Sequence, residues 1–227
     1  MGIQKSAGKN VKSQRSHDEK VMAQYRQRGF SMLEMAIAIS ISMILAAITF
    51  ISMQPTLNRA HLETAYSTTL EALRTTRNLA VTQSHEYYVV FNPAGSPAGT
   101  ILVQYQPPAV AGIFPPLQQV ITYSLPADIT FAVRAGFPAA TPDGFGAGIV
   151  PIDFGQGLGA GNLNYLVFMP DGSSRDSLGN YNNGIVYFTR ASDSIYSSRA
   201  VTVWGTTGRV RGWRLDQAAG LPVWEQQ

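Results

Sequence analysis

The chain has 227 residues, 45% of them hydrophobic, and a formal net charge of +3, enough for one ordinary globular domain together with a membrane segment. It contains no cysteine, which excludes disulfides, thiolate catalysis and cysteine-ligated metal sites. Residues 1–29 hold seven basic side chains against two acidic ones, a net of +5, and the rest of the chain holds ten against twelve, a net of −2, so any nucleic-acid reading must rest on a local patch.

The first element is a basic segment, residues 1–29, ending in Gly29. From Met35 to Met53 there follow 19 uncharged residues rich in Ile, Met, Ala and Leu. As a helix this run covers about 30 Å, roughly the hydrocarbon thickness of a bilayer, and it predicts a membrane-spanning helix over residues 30–54. The basic flank predicts that its N-terminal side stays cytoplasmic. A cleaved secretory signal would need a small-residue site after the apolar run, and the run passes instead through Phe50 and Met53 into Gln54-Pro55. Glu34 lies just before the uncharged run. A charge at the bilayer centre costs about 2.5 to 3.5 kcal/mol by insertion scales, less near an interface, so Glu34 either snorkels to the interface or finds a partner.

Beyond Pro55, where a kink or break is expected, Leu62, Tyr66, Leu70, Leu73 and Ala80 recur at spacings of three, four or seven. They mark the apolar face of an amphipathic helix over residues 55–84. After Ser84 the pattern turns to period two, with β-branched runs divided by Gly, Pro, Asn and Asp. Strands are expected at Glu86–Phe91, Ile101–Gln106, Gln119–Leu125, Ile129–Arg134, Tyr165–Met169, Ile185–Thr189, Arg199–Trp204 and Arg209–Leu215. Close-spaced strands without intervening helices imply antiparallel sheet. The fold class is therefore α+β, a long N-terminal helix followed by a β-rich domain over residues 85–227. The glycine-rich stretch 136–161 fails G-x-G-x-x-G at every register and lacks Gly-Lys-Ser/Thr, so it reads as a mobile surface loop.

Few side chains suggest chemistry. His61 and His85 sit at opposite ends of a helical stretch and cannot share a metal on that arrangement, and there is no G-x-S-x-G, H-E-x-x-H or HRD-type loop. No catalytic residue, metal or cofactor is expected. The segment Pro170–Gly184 carries Asp171, Asp176, Asn180, Asn182 and Asn183, but their spacing does not match a calcium loop, and Pro170-Asp171-Gly172 is a turn signal. The stretch Val201–Asp216 concentrates Arg209, Arg211 and Arg214 between Gly208, Gly212, Trp204 and Trp213. Strand alternation places Arg209 and Arg211 on one face. They suit weak, salt-dependent contact with phosphates, with Trp213 available for stacking on single strands. A cationic edge strand that discourages aggregation, or pairing with Asp193 and Asp216, is the plainer alternative.

Gly29-Phe30-Ser31-Met32-Leu33-Glu34, after a basic leader and before an apolar helix, resembles the class III signal of type IV prepilins and pseudopilins. The resemblance implies cleavage by prepilin peptidase after Gly29, N-methylation of Phe30, and a role for Glu34 in assembly, where its carboxylate pairs with the N-terminal amine of a neighbouring subunit. It also implies a pilin-like fold in the bacterial inner membrane, with the globular domain periplasmic, and partnership with other pilins in a filament. Leu166–Gly172 and the Gly208-Arg209-Val210-Arg211 run look like features of the GspH/FimT group of minor pseudopilins. That likeness implies a part in a type IV pilus or type II secretion system. It carries as a second reading DNA binding for uptake, through Arg209, Arg211, Arg214 and Trp213. A single-pass membrane protein without a filament role is the third.

Overall fold

The computed structural model describes residues 30–92, 94–156, 163–176 and 178–227, so Gly29 and the basic leader lie outside the described residues. The chain divides into two units, residues 1–54 and 55–227. Helix α1 (Met32–Gln83) begins in the first and ends in the second, with Pro55 inside it. No break divides α1 at Pro55. A proline removes one backbone hydrogen bond, and the remaining turns of helix on either side are left intact.

In the first unit every described residue is exposed. An 18-residue window of α1 has a mean hydropathy of 2.3 with none of it buried, long and apolar enough to cross a membrane. Its hydroxyls are satisfied within the helix: Ser40, Ser42 and Thr49 each donate to the carbonyl four residues back, at 2.8 Å. In a medium that offers no hydrogen bonds, this removes the cost of carrying them.

In the second unit, α1 buries Leu62, Ala65, Tyr66, Thr69, Leu70, Ala72, Leu73, Thr76 and Ala80, including all five residues of the predicted stripe. The strands are β1 (Tyr87–Phe91), β2 (Thr100–Tyr105), β3 (Gln118–Ser124), β4 (Ile129–Thr130), β5 (Ile152–Gln156), β6 (Tyr165–Phe168), β7 (Ser174–Arg175), β8 (Asn183–Arg190), β9 (Arg199–Trp204), β10 (Arg209–Ala218) and β11 (Leu221–Gln226). They form a sheet in the order β3-β2-β1-β6-β7 and a second in the order β11-β10-β9-β8-β4, with β5 also paired to β8. The pairings are antiparallel. The fold is thus α+β, a long N-terminal apolar helix packed on antiparallel sheet, as expected.

One core joins the apolar face of α1 to alternate residues of both sheets, among them Tyr87, Val89, Phe91, Val186, Phe188, Val201 and Val203. Phe91 stacks on Phe154 at 5.5 Å between ring centroids and meets Phe131 edge-on at 5.7 Å. A second cluster lies on the other face of the second sheet, where Ile185, Tyr187, Ala200, Leu215 and Trp224 pack with Phe145. Residues Gly184 to Thr189 of β8 are consequently buried without a break.

That second cluster corrects the reading of residues 136–161 as a free surface loop. Phe137 packs against Tyr187 and Trp224 at 5.6 and 5.3 Å, and Phe145 meets Trp204 at 5.0 Å. Pro142 and Phe145 are buried, and β5 emerges from the same stretch. The glycines allow tight turns while the interspersed aromatics cover apolar sheet; residues 157–161 lie outside the described residues. The Pro170–Gly172 turn is as read. Gly172 N–H donates to Met169 O at 2.9 Å, and Asp171 Oδ1 accepts from Ser173 N–H at 2.8 Å.

Candidate functional site

At the N-terminal end, Phe30 is 76% exposed and Ser31 stands just before the first residue of α1. Its hydroxyl accepts from Leu33 N–H at 3.3 Å and its carbonyl from Met35 N–H at 3.0 Å. Glu34 falls in the first turn of the helix, where the partial positive charge of unpaired N–H groups favours a carboxylate. Its side chain belongs to the exposed surface of the first unit, open to a positive group from outside the chain.

The C-terminal candidates are separated by the sheet. Arg211 Nη1 lies 2.6 Å from Asp143 Oδ1, whose side chain is 4% exposed, and its guanidinium stands over the Trp204 ring at 5.5 Å. Thr202 Oγ1 donates to the other Asp143 oxygen at 2.6 Å, and Trp213 Nε1 donates to Thr202 Oγ1 at 3.0 Å. Arg211 and Trp213 therefore belong to a polar network beside the second cluster. Asp143 reaches it from a short turn, Pro142–Gly144, in which Asp143 itself has φ +54°. Arg209 and Arg214 are exposed, and Arg214 Nε lies 3.7 Å from Asp216 Oδ2.

The glycines of this stretch are set by packing. A Cβ on Gly208 (φ +60°) would lie 2.0 Å from Gly172 O, and one on Gly212 would lie 1.9 Å from the Tyr66 hydroxyl. Both permit close approach, Gly208 to the β6–β7 turn and Arg77, Gly212 to α1.

Sequence reasoning missed the residues that face this strand. A cleft of about 470 Å³ is lined by Arg74, Arg77, Asn78, Thr207, Gly208, Arg209 and Val210. A second, of about 620 Å³, places Arg59, Glu63, Arg199 and Arg214 beside Ser194 and Ser197. Arg199 Nη2 is 3.5 Å from Glu63 Oε2, while its Nε is buried without a hydrogen-bond partner. Burial draws the Arg199 guanidinium below its usual range; Glu63 pushes it back up, and the like charge of Arg214 adds to the fall. Between the clefts stands Tyr66, whose phenol is pushed up by burial and by Glu63 against the opposing pull of Arg74 and Arg199. At 100° per residue Arg59, Arg74 and Arg77 fall within about 60° of one another on α1, a signal present in the sequence.

Elsewhere, His61 Nδ1 lies 3.0 Å from both Asp128 oxygens, and Arg190 holds the same carboxylate at 2.8 Å. His85 packs on Tyr105. Among the described residues no group of three or more His, Cys, Asp or Glu is placed to hold a metal ion.

Residues 24–50 match the prokaryotic N-terminal methylation motif, the class III signal of type IV pilins. No curated protein and no solved structure matches the chain. The motif, with an apolar helix able to anchor in a membrane and a fold consistent with the pilin architecture, supports a type IV pilin-like protein.

Proposed function

We propose that the chain is a minor pilin or pseudopilin of the GspH/FimT kind, a structural or assembly subunit of a type IV pilus or type II secretion system. The observation that carries this reading is the methylation motif over residues 24–50, joined to a helix whose first turn holds Glu34. Prepilin peptidase cuts after Gly29 on the cytoplasmic face of the inner membrane and methylates the new amine of Phe30. The uncharged part of α1 keeps the subunit in the bilayer, with the β-rich unit in the periplasm.

On assembly, Glu34 pairs with the N-terminal ammonium of a neighbour. Opposite charges at a few ångströms attract far more strongly in an apolar surrounding than in water, so a carboxylate that burdens the isolated subunit favours its polymer. The role is structural, with no catalytic residue.

Mass spectrometry of the protein from its host tests the processing step. The expected mature chain starts at a monomethylated Phe30, and deletion of the peptidase leaves Met1–Gly29 attached. An intact leader in peptidase-positive cells would overturn the reading in favour of a single-pass membrane protein without a filament role. Glu34→Gln should be processed but recovered poorly from sheared filaments. Incorporation equal to wild type would refute the charge-pairing step.

A further inference from the structure

Between Glu86 and Asp128 the sequence runs for 41 residues without a charged side chain. These residues build β1, β2 and β3, and β3 is the outer strand of its sheet. Natural sheet edges are commonly guarded by charge, and this one is not. The apolar exposure is concentrated where β2 passes into β3: Val110, Ile113 and Phe114 are 70%, 73% and 68% exposed. A lone apolar side chain at a surface is ordinary, whereas three gathered on one turn mark a contact surface.

The turn is built to stand out. The ladder between β2 and β3 ends at the pair Tyr105–Gln118. Beyond it Val110 N–H donates to Ile113 O at 2.9 Å and Ile113 N–H to Val110 O at 3.0 Å. Ala111 and Gly112 between them have φ of +52° and +79°, the two positive values of a type I′ hairpin turn. A Cβ on Gly112 would meet nothing within 4 Å, so the apex stands clear of the rest of the fold. Pro107-Pro108 and Pro115-Pro116 flank the turn; they fix φ on both approaches and bring no N–H. Of the six N–H groups in residues 107–116, two pair across the turn, and Gln106 Nε2 donates to Pro115 O at 2.8 Å. Few donors are thus left to lose water, which is what entry into a medium without hydrogen bonds requires.

The shape and chemistry select the occupant. A protein partner would need a cleft cut to this turn and would ordinarily add a charged rim, while hydrocarbon accepts a convex apolar prong of any outline. At the base stand Tyr105, whose hydroxyl donates to Gln118 Oε1 at 3.0 Å, and Gln119, uncharged polar groups of the kind that suit a headgroup layer. The five residues from Ile113 to Gln118 span at most about 17 Å. That matches a headgroup layer of about 6 Å plus the 5 to 10 Å to which interfacial segments sink, both about. The chain enters this unit at Pro55, and the 28 residues of α1 from there to Gln83 span about 42 Å. The prong belongs to the end where α1 stops, since Gln106 N–H donates to Glu86 O at 3.1 Å and Tyr105 packs on His85.

We propose that the β2–β3 turn is a lipid-inserting prong for a second bilayer, with Val110, Ile113 and Phe114 at the acyl boundary and Tyr105, Gln118 and Gln119 among the headgroups. The activity goes beyond the filament role and needs neither processing nor assembly.

The natural chain has no cysteine, so Ala111→Cys carries a single nitrobenzoxadiazole label at the apex. The labelled full chain is held in phosphatidylcholine nanodiscs, and phosphatidylcholine vesicles are added. The expected result is a blue-shifted, brighter emission that is quenched when the added vesicles carry lipids brominated on their acyl chains. Affinity for the vesicles should stay within about twofold from low to high salt, because no charge takes part. Ile113→Ser with Phe114→Ser should weaken it at least about tenfold, and Gln119→Ser should leave it unchanged. The serine positions lie beyond the end of the ladder, so an unaltered melting temperature checks that the fold is kept. Emission that does not respond to vesicles overturns the proposal, as does full binding by the double serine variant. Quenching by brominated nanodisc lipids alone would overturn the second bilayer, and a shift that grows with protein concentration without vesicles would assign the turn to another copy of the chain instead.

Discussion

Replacing Arg211 with methionine strands a charge. Asp143 is held by two hydrogen bonds, from Arg211 Nη1 and Thr202 Oγ1, both at 2.6 Å, and its side chain is 4% exposed. Methionine keeps most of the packing over Trp204 but leaves the carboxylate with Thr202 alone. Removing one partner of a buried pair costs about 3 to 5 kcal/mol. Arg211 is itself a quarter exposed, at 24%, and its Nε has no hydrogen-bond partner, which points to the lower end, about 3 kcal/mol. For a unit of this size each kcal/mol moves the melting temperature by about 2 to 4 °C, so the expected fall is about 6 to 12 °C. All three tryptophans, Trp204, Trp213 and Trp224, belong to or border the cluster beside this pair, so intrinsic fluorescence follows its melting directly. Asp143→Asn combined with Arg211→Met removes both charges and should recover more than half of the loss; asparagine also tolerates the positive φ at that position. A single variant melting within about 2 °C of wild type, or a double variant as unstable as the sum of the singles, would show that the pair carries no such energy.

Two other perturbations read other parts of the fold. Gly212→Ala places a methyl 1.9 Å from the Tyr66 hydroxyl and should lower stability by about 1 to 3 kcal/mol through overpacking; urea unfolding with an unchanged midpoint would contradict the close approach of β10 to α1. Burial pushes the Asp128 carboxyl up, yet hydrogen bonds from His61, from its own backbone and from Arg190 outweigh it and hold the group below the usual carboxylate range. A depressed folded pKa contributes stability that is present above the unfolded value, about 4, and is lost as pH falls through the folded one. Thermal melts of wild type should therefore drop on acidification below about pH 4 more steeply than those of Asp128→Asn, and parallel curves would refute the assignment.

Much of this was legible because local periodicity and burial coincide. The stripe at Leu62, Tyr66, Leu70, Leu73 and Ala80 is buried, and the β-branched and aromatic run Tyr87–Phe91 forms β1, its residues alternately buried and half-buried. Three strands escaped notice for identifiable reasons. β11 carries Pro222, tolerated at a sheet edge; β5 is hidden among glycines; β7 is only two residues long. The site was less legible because its groups meet across the chain. Arg211 finds Asp143 68 residues away, and no spacing rule announces that. Arg74 and Arg77 share a helix face in the sequence, but their relation to Arg209 depends on how β10 lies on α1.

The hydroxyls of Ser40, Ser42 and Thr49 have a consequence for how such helices settle against one another. Between Met32 and Phe50 each hydroxyl is already spent on its own backbone, so the surface offered to an adjacent helix is otherwise methyls, methylenes, thioethers and one phenyl ring. Dispersion contacts of that kind change little when one rod slides a turn along another. In the filament proposed above, axial alignment over that stretch would have a single notch, Glu34, and moving it by one residue along the helix would shift where neighbours lock without altering how well they pack.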